Sequence, residues 1–190
     1  MPDTPDPHTP IEETLAALTE LVREGKVRYT GNSNFAGWQI AEAACVARSA
    51  GFERFISAQN HWSLLDRASE NEVVPAARHF GLGVLPYFPL ENGLLTGKVR
   101  RGKVIPAGTR IAESAYQVTE ARLDTVEALV AWGMKNGRSL LEIAVGVLAA
   151  LPGCSSVIAG ATKPEQVRAN AAAGEWVPAA EELGEILELL

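Results

Sequence analysis

Two hydrophobic rhythms alternate along this chain. Ile11, Leu15, Leu18, Leu21 and Val22 fall three or four residues apart, which predicts a helix with one apolar face. Thr9 stands as its N-cap, Pro10 at its first helical position and Glu12 where a capping box needs it, and Gly25 ends it. Val27 to Gly31 then predicts a short strand, and Asn34 caps a second helix over 36–50 that Gly51 closes. Phe55 to Gln59 predicts a second strand. After the segment NHWSLLDR a helix runs to about Phe80 and stops at Gly81, and Leu82 to Tyr87 predicts a third strand. Phe88 to Tyr116 is rich in glycine and arginine and has no clear period; a loop of that length inside a compact domain is usually functional. Helices follow over about 119–135 and 140–151, the second opened by a Ser139/Glu142 capping box and apolar on most sides. Pro152 and Gly153 stop it. Ser155 to Ala159 predicts a fourth strand, Thr162 and Glu165 cap a helix through Asn170, and a last helix starts near Ala179.

The strands predicted at Val27, Phe55 and Leu82 open 28 and then 27 residues apart. Regular strand–helix units of that size mean a parallel sheet with right-handed crossovers, either doubly wound or a (β/α)8 barrel. A whole barrel needs about 200 residues or more. Four such units with extra helices in 190 residues are therefore half a barrel or a small open sheet, organised as one domain behind a proline-rich loop over residues 1–10.

Composition narrows the classes. Lys+Arg 17 against Asp+Glu 23 leaves a net charge of −6, and only Arg100, Arg101 and Lys103, with Lys98 just before them, form a basic cluster. That balance argues against nucleic acid or an anionic membrane as partner. The longest apolar run, Ile143 to Leu151, is far short of the ~20 residues of a membrane span. The first residues carry neither the basic nor the apolar region of a signal peptide. Cys45 and Cys154 cannot form a disulfide framework; each sits among small apolar residues and reads as an inert buried thiol, in keeping with a reducing cytoplasm.

In either architecture chemistry gathers at the C-terminal ends of the strands. Those ends carry Ser33 and Asn34; Gln59, Asn60 and His61; Tyr87, Phe88, Pro89 and Leu90; and Gly160, Ala161, Thr162 and Lys163. Amides, a hydroxyl and an aromatic ring on one rim suit a planar, amide-bearing ligand. The plain alternative is that Ser33 and Asn34 cap a helix and Tyr87 packs. Gly160 leaves room for a ligand, the helix opening at 162–165 offers free N–H groups, and Lys163 adds a positive charge, which together suit a phosphate; an ordinary capping box with a solvated lysine is the alternative. Other motifs fail. Gly93 to Lys98 is one residue short of a P-loop, no G-x-G-x-x-G follows a strand, and GNSNF fails the G-x-S-x-G pattern at Phe35. His8, His61 and His79 have no metal-ligand spacing, so no metal site is expected, and His79 reads as a surface cation at a helix C-terminus.

Four segments together resemble the aldo-keto reductases, in the branch of bacterial oxidoreductases and potassium-channel β subunits: GNSNF at 31–35, SAQNHWSLLDR at 57–67, LPYFPLENGLLTGK at 85–98 and SVIAGATKPEQVRAN at 156–170. The resemblance implies the C-terminal half of a (β/α)8 barrel that binds NADP(H) and reduces small aldehydes and ketones by hydride transfer. It implies that Ser33, Asn34 and Gln59 hold the nicotinamide carboxamide and that Tyr87 stacks on the ring. By the same likeness Pro89, Leu90, Leu94, Gly97 and Lys98 line the pyrophosphate, Gly160, Thr162 and Lys163 take the adenosine 2′-phosphate, and Gln166 and Asn170 lie near the adenine.

The same likeness marks a departure. The family's catalytic Asp, Tyr, Lys and His belong to the first half of its barrel. Its histidine stands just before an x-Pro-Asp segment, here Met1-Pro2-Asp3, so His8 is on the wrong side of the motif. Tyr29, Tyr87 and Tyr116 match no tetrad position. The expectation is a cofactor-binding half without the tetrad and without turnover of its own, or else a binding module or a remnant. A half barrel also leaves two strand edges unpaired and its inward face open to water, which a symmetric homodimer can cover by pairing the last strand of one copy with the first of the other.

Overall fold

The computed structural model describes residues 4–113, 116 and 118–190. The chain packs as two compact units. The first comprises the chain to His61 with Arg67–Pro86 and Gly153–Ser156; the second comprises Trp62–Asp66, Tyr87–Pro152 and Val157–Leu190.

The first unit holds helices α1 (Ile11–Arg23), α2 (Gly37–Ala50) and α3 (Val73–Phe80) and a parallel sheet of β1 (Thr30–Ser33), β2 (Phe55–Gln59) and β3 (Gly83–Val84) in the order β1-β2-β3. Its core is Leu15, Ile40, Ala43, Ala47, Phe55, Ala58, Ala77 and Val84, with Phe35 edge-on to Phe55 at 5.9 Å. Thr19, buried in α1, donates to the Leu15 carbonyl at 2.7 Å and accepts from the Glu53 N–H at 3.0 Å, which ties α1 to the entry of β2. Gly37 opens α2 where any Cβ would stand 2.8 Å from the Glu72 carbonyl oxygen, so only glycine permits that approach.

Several boundaries move for identifiable reasons. The first strand starts at Thr30 rather than Val27. Gly25 takes φ +71°, and the N–H groups of Lys26 and Val27 both turn back to the Leu21 carbonyl, so the helix end consumes the residues expected to pair. The third strand is only Gly83–Val84; Leu85 adds one further bond to the Ala58 carbonyl before Pro86, which has no N–H to continue the ladder. The fourth strand does not form. Cys154 makes an isolated bridge to Val84 and Ser155 donates to the Val84 carbonyl at 2.9 Å, but the short β3 gives the chain nothing further to pair with, and 155–159 runs on without ladder bonds. The edge strand β1 pairs on one side only, and all four of its residues are buried.

Helix starts are corrected too. Pro10, not Thr9, is the N-cap of α1, and Thr9 instead bonds Asp6. Ala36, not Asn34, is the N-cap of α2: the Gln39 carboxamide accepts from the Ala36 N–H at 2.9 Å, leaving Asn34 in a left-handed conformation at φ +58°. Cys45 is exposed, not buried. The inward positions of α2 are Gly37, Ile40, Ala43 and Ala47, and a residue two beyond Ala43 points away from that stripe. Cys154 is half-buried, and burial pushes its thiol up to about 11.

The second unit is helical: α4 (Arg110–Glu113), α5 (Glu120–Asn136), α6 (Leu140–Glu142), a π-helical turn (Ile143–Val147), α7 (Leu148–Ala150), α8 (Pro164–Ala173) and α9 (Ala180–Leu187). Thr119 caps α5, and Ser139 with Glu142 closes the expected capping box, the Ser139 N–H donating to Glu142 at 2.8 Å. Val126, Leu129, Ile143, Val147, Leu148 and Ile186 form a fully buried core. Gly146 in the π turn lies against Trp176, where an added Cβ would come within 2.7 Å of the ring. Trp132 donates to Glu185 at 2.7 Å, and the Arg138 guanidinium lies over Trp176 at 5.0 Å.

Candidate functional site

The first unit brings Ser33, Asn34 and Gln59 together. Ser33 and Gln59 are register partners at the adjoining C-terminal ends of β1 and β2. The Gln59 main-chain carbonyl accepts from the Ser33 hydroxyl at 3.1 Å and from the Asn34 N–H at 3.0 Å, and the Asn34 carboxamide donates to the Ser33 hydroxyl at 3.3 Å. A parallel pair ends its ladder here, and the left-handed turn at Asn34 carries the chain away from the sheet. One hydroxyl, one carboxamide and the Gln59 main-chain carbonyl therefore meet within one hydrogen-bond network. Next to it, the Asn60 carboxamide donates to the Phe35 carbonyl at 3.1 Å while its oxygen is buried without a partner. The set has both donors and acceptors, which is what a carboxamide ligand requires.

Tyr87 to Lys98 belongs to the second unit. Its centre is a pair of 3₁₀ turns, Glu91–Thr96, in which Glu91, Asn92 and Gly93 all take positive φ, at 46°, 55° and 102°. Two successive non-glycine residues in that region carry strain of order 1–3 kcal/mol each and persist only when the surroundings over-determine them. Gly93 and Gly97 face open space, where an added Cβ would meet nothing within 4 Å. Leu94 is wholly buried, so it can offer a ligand only its backbone.

What fastens this turn escaped the sequence reading. Glu91 is 1% exposed, and its carboxylate accepts from the Ser63 hydroxyl at 2.7 Å, the Tyr116 hydroxyl at 2.7 Å and the Arg122 guanidinium at 3.2 Å. The Ser63 oxygen in turn accepts from the N–H groups of Leu65 and Asp66. Burial and the Glu91 carboxylate raise the Tyr116 phenol well above its ordinary pKa. The acidic residue between Leu90 and the Asn-Gly turn was the only available signal, and acidic residues in turns are too common to single one out.

Gly160, Thr162, Lys163, Gln166 and Asn170 also lie in the second unit, on the approach to α8 and its first turns. Gly160 faces open space and Thr162 and Lys163 are exposed. Gln166 and Asn170, four residues apart, share a face of α8. The helix start differs from expectation. Gln166, not Glu165, closes it, its oxygen accepting from the Thr162 N–H at 2.7 Å, the Thr162 hydroxyl at 3.1 Å and the Lys163 N–H at 3.1 Å. An anion seated on those N–H groups has to displace the Gln166 oxygen.

A groove of about 450 Å³ lies elsewhere in the first unit, lined by Phe52, Phe55, Phe80 and Leu82 with Arg48 and Arg54. Phe55 opens β2, so this groove is at the opposite strand ends from Ser33 and Gln59 and takes in none of the expected site residues. Among the described residues no group of His, Cys, Asp and Glu could hold a metal, and no helix is long and apolar enough to cross a membrane. His79 is exposed in the last turn of α3, as its place near a helix C-terminus implied.

The Aldo/keto reductase family model matches residues 2–190. An uncharacterized oxidoreductase, YrpG, of Bacillus subtilis is 38% identical over 86% of this chain and 49% of its own length. The NADH-specific methylglyoxal reductase of Escherichia coli is 39% identical over 87% of the chain and 49% of its own length. A probable voltage-gated potassium channel subunit beta of Oryza sativa is 35% identical over 92% of the chain and 55% of its own length. The chain thus spans about half the length of the curated relatives it matches. With the family match over residues 2–190 and an α/β fold with a parallel sheet, this chain belongs to the aldo/keto reductase family.

Proposed function

We propose that this chain is the nicotinamide-cofactor-binding part of a carbonyl reductase, corresponding to the C-terminal half of a (β/α)8 barrel. The observation that carries the reading is the Ser33–Asn34–Gln59 network at the ends of two adjacent parallel strands, whose donors and acceptors match a carboxamide. The Tyr87–Lys98 turn, open at Gly93 and Gly97, suits a pyrophosphate, with Tyr87 for the nicotinamide ring and the backbone of Pro89, Leu90 and Leu94 beside it. Gly160, Thr162 and Lys163 suit a 2′-phosphate, which favours NADP(H), while Gln166 and Asn170 face an adenine. The bound cofactor supplies the hydride for a small aldehyde or ketone. The chain's own residues orient it: the carboxamide grip sets which ring face is presented, and the Lys163 charge anchors the far end.

Proton transfer to the carbonyl oxygen is a separate requirement, and no residue of this chain is assigned to it. Tyr29 is 72% exposed, and the Tyr116 hydroxyl is engaged with Glu91 and Arg122. A missing general acid removes roughly 10²–10⁴-fold in rate, so the chain on its own is expected to bind cofactor without turning over. The test mixes the chain with NADPH and 4-nitrobenzaldehyde. Enhanced NADPH fluorescence with no consumption above the blank supports the reading. Steady consumption contradicts the inactive state, and no fluorescence change contradicts the cofactor site.

A second copy is a further proposal. The 155–159 segment makes no ladder bonds past Ser155, Ile158 is 41% exposed, and β1 pairs on one side only. Pairing of the 155–159 segment with β1 of a partner copy would satisfy both; light scattering showing only monomer at high concentration contradicts it. A cytoplasmic location is the compartment we propose, on the two free thiols.

A further inference from the structure

Two parts of the chain 25 residues apart, the turn at Glu91 and Tyr116, meet at one buried carboxylate. Glu91 is bonded by the Tyr116 hydroxyl, by Arg122 in the first turn of α5 and by Ser63 in the Trp62–Asp66 turn. Arg122 also donates to the Tyr116 hydroxyl and lies over that ring at 5.0 Å. Three separate stretches of chain are thus pinned by one side chain that is itself almost wholly excluded from water. A charge is costly to bury and is tolerated when every oxygen is bonded, which is the case for both oxygens of Glu91. The same residue begins the run of left-handed residues Glu91, Asn92 and Gly93 that turns the backbone of Gly93 and Gly97 toward open space. A conformation this unfavourable for glutamate needs an outside tether, and the carboxylate supplies it.

We propose that Glu91 is a positioning residue for cofactor binding: by fastening its turn to Ser63, Tyr116 and Arg122 it holds the Glu91–Gly97 backbone in the shape that receives a pyrophosphate. The inference rests on the cofactor reading above. Glu91 touches no ligand itself. Its effect passes through the turn, so it falls on ligands that carry the pyrophosphate and spares those that engage only the α8 approach.

The test uses Glu91→Gln in the full chain with two ligands, NADPH and adenosine 2′,5′-bisphosphate, which lacks the pyrophosphate. Hydrogen bonds to a charged group are lost, so NADPH affinity is expected to fall about tenfold or more while bisphosphate affinity stays within about twofold. Trypsin, added without ligand, is expected to cut after Arg100, Arg101, Lys103 or Arg110 at least about tenfold faster than in the wild type, since the chain between Glu91 and Tyr116 opens more readily. Equal losses for both ligands would mean general destabilisation and would overturn the proposal, as would unchanged NADPH affinity and unchanged cleavage. If Glu91→Gln does not fold, Tyr116→Phe removes one bond of the knot and is judged on the same readouts. Wild-type chain that binds the bisphosphate but not NADPH, or neither, overturns the cofactor reading and this proposal with it. Wild-type binding with an indifferent variant overturns this proposal alone.

Discussion

Ser33 and Gln59 face each other across two parallel strands, and the Ser33 hydroxyl donates to the Gln59 carbonyl at 3.1 Å. The bond adds a side-chain donor to the Asn34 N–H, which already reaches the same carbonyl at 3.0 Å and closes the last rung of the β1–β2 ladder. It also fixes the hydroxyl so that its oxygen accepts from the Asn34 carboxamide. Ser33→Ala is therefore expected to weaken nicotinamide dinucleotide binding about 3- to 10-fold and, because the lost Gln59 bond is internal and buried, to cost about 1 kcal/mol of stability. Isothermal titration beside a urea melt separates the two; an unchanged dissociation constant removes Ser33 from the site.

Gly146 and Trp176 make a contact that admits no side chain. A Cβ at position 146 would stand 2.7 Å from both the ring and the Trp176 carbonyl oxygen. Gly146→Ala is expected to destabilise the chain by about 1–3 kcal/mol through overpacking, even though alanine favours helices. Chemical denaturation measures this, and a stabilising result would show that the π turn relaxes to an ordinary helix.

Arg100 keeps Glu127 ionised down to low pH. The guanidinium and the Arg101 N–H hold the Glu127 carboxyl down to about 2. A folded pKa below the unfolded one means that the stabilisation is fully present above the ordinary glutamate range and is lost as the pH falls toward 2. Carboxyl-resolved NMR should find the Glu127 midpoint near 2 in the wild type. In Arg100→Ala it should return toward the ordinary value, and a midpoint already ordinary in the wild type counts against the ion pair.

Cys45 and Cys154 differ in exposure. Cys45 is exposed on α2, and the half-buried Cys154 thiol is raised to about 11. At pH 8 a disulfide reagent should label one thiol quickly and the second only on unfolding, and Cys45→Ser should abolish the fast phase. Two fast thiols would mean that the Gly153–Ser156 segment is open.

The periodic parts of this fold were legible in the residues. The helical period of α1, the glycine stops at Gly25, Gly51 and Gly81, and the Ser139/Glu142 box follow local rules that tertiary contacts left intact, although of the α1 stripe only Leu15 is buried and Leu21 is exposed. The strands were legible in place but not in extent, because a strand's length is set by its neighbour. Pro86 ends β3 early, and the apolar run after Cys154 then has no ladder to join. Of the candidate site, Ser33, Asn34 and Gln59 could be read as residues at strand ends, and the structure brings them together. Glu91 could not. Its role depends on Ser63, Tyr116 and Arg122, which lie 25 to 31 residues away and share no pattern with it. Gln166 in place of Glu165 was likewise decided by which side chain folds back on the helix start, and spacing alone does not distinguish them.

Gln166 also sets a measurable limit on the phosphate reading. Its oxygen accepts from both Thr162 and Lys163, so Gln166→Ala is expected to cost about 1 kcal/mol in stability, as for a lost cap. The same change frees those N–H groups for an anion, so inorganic phosphate, which has no adenine for Gln166 to face, should bind at least as tightly per folded molecule. Calorimetry with a matched melt reads both; a large loss of affinity at full folding would instead place Gln166 in direct contact with the ligand.

The central claim is that this chain carries a nicotinamide dinucleotide site, and direct calorimetric titration with NADPH and NADH in parallel tests it. The account predicts one saturable site per chain, tighter for NADPH because Lys163 meets the 2′-phosphate. Absence of binding for both dinucleotides at millimolar concentration, with the chain folded, would contradict it.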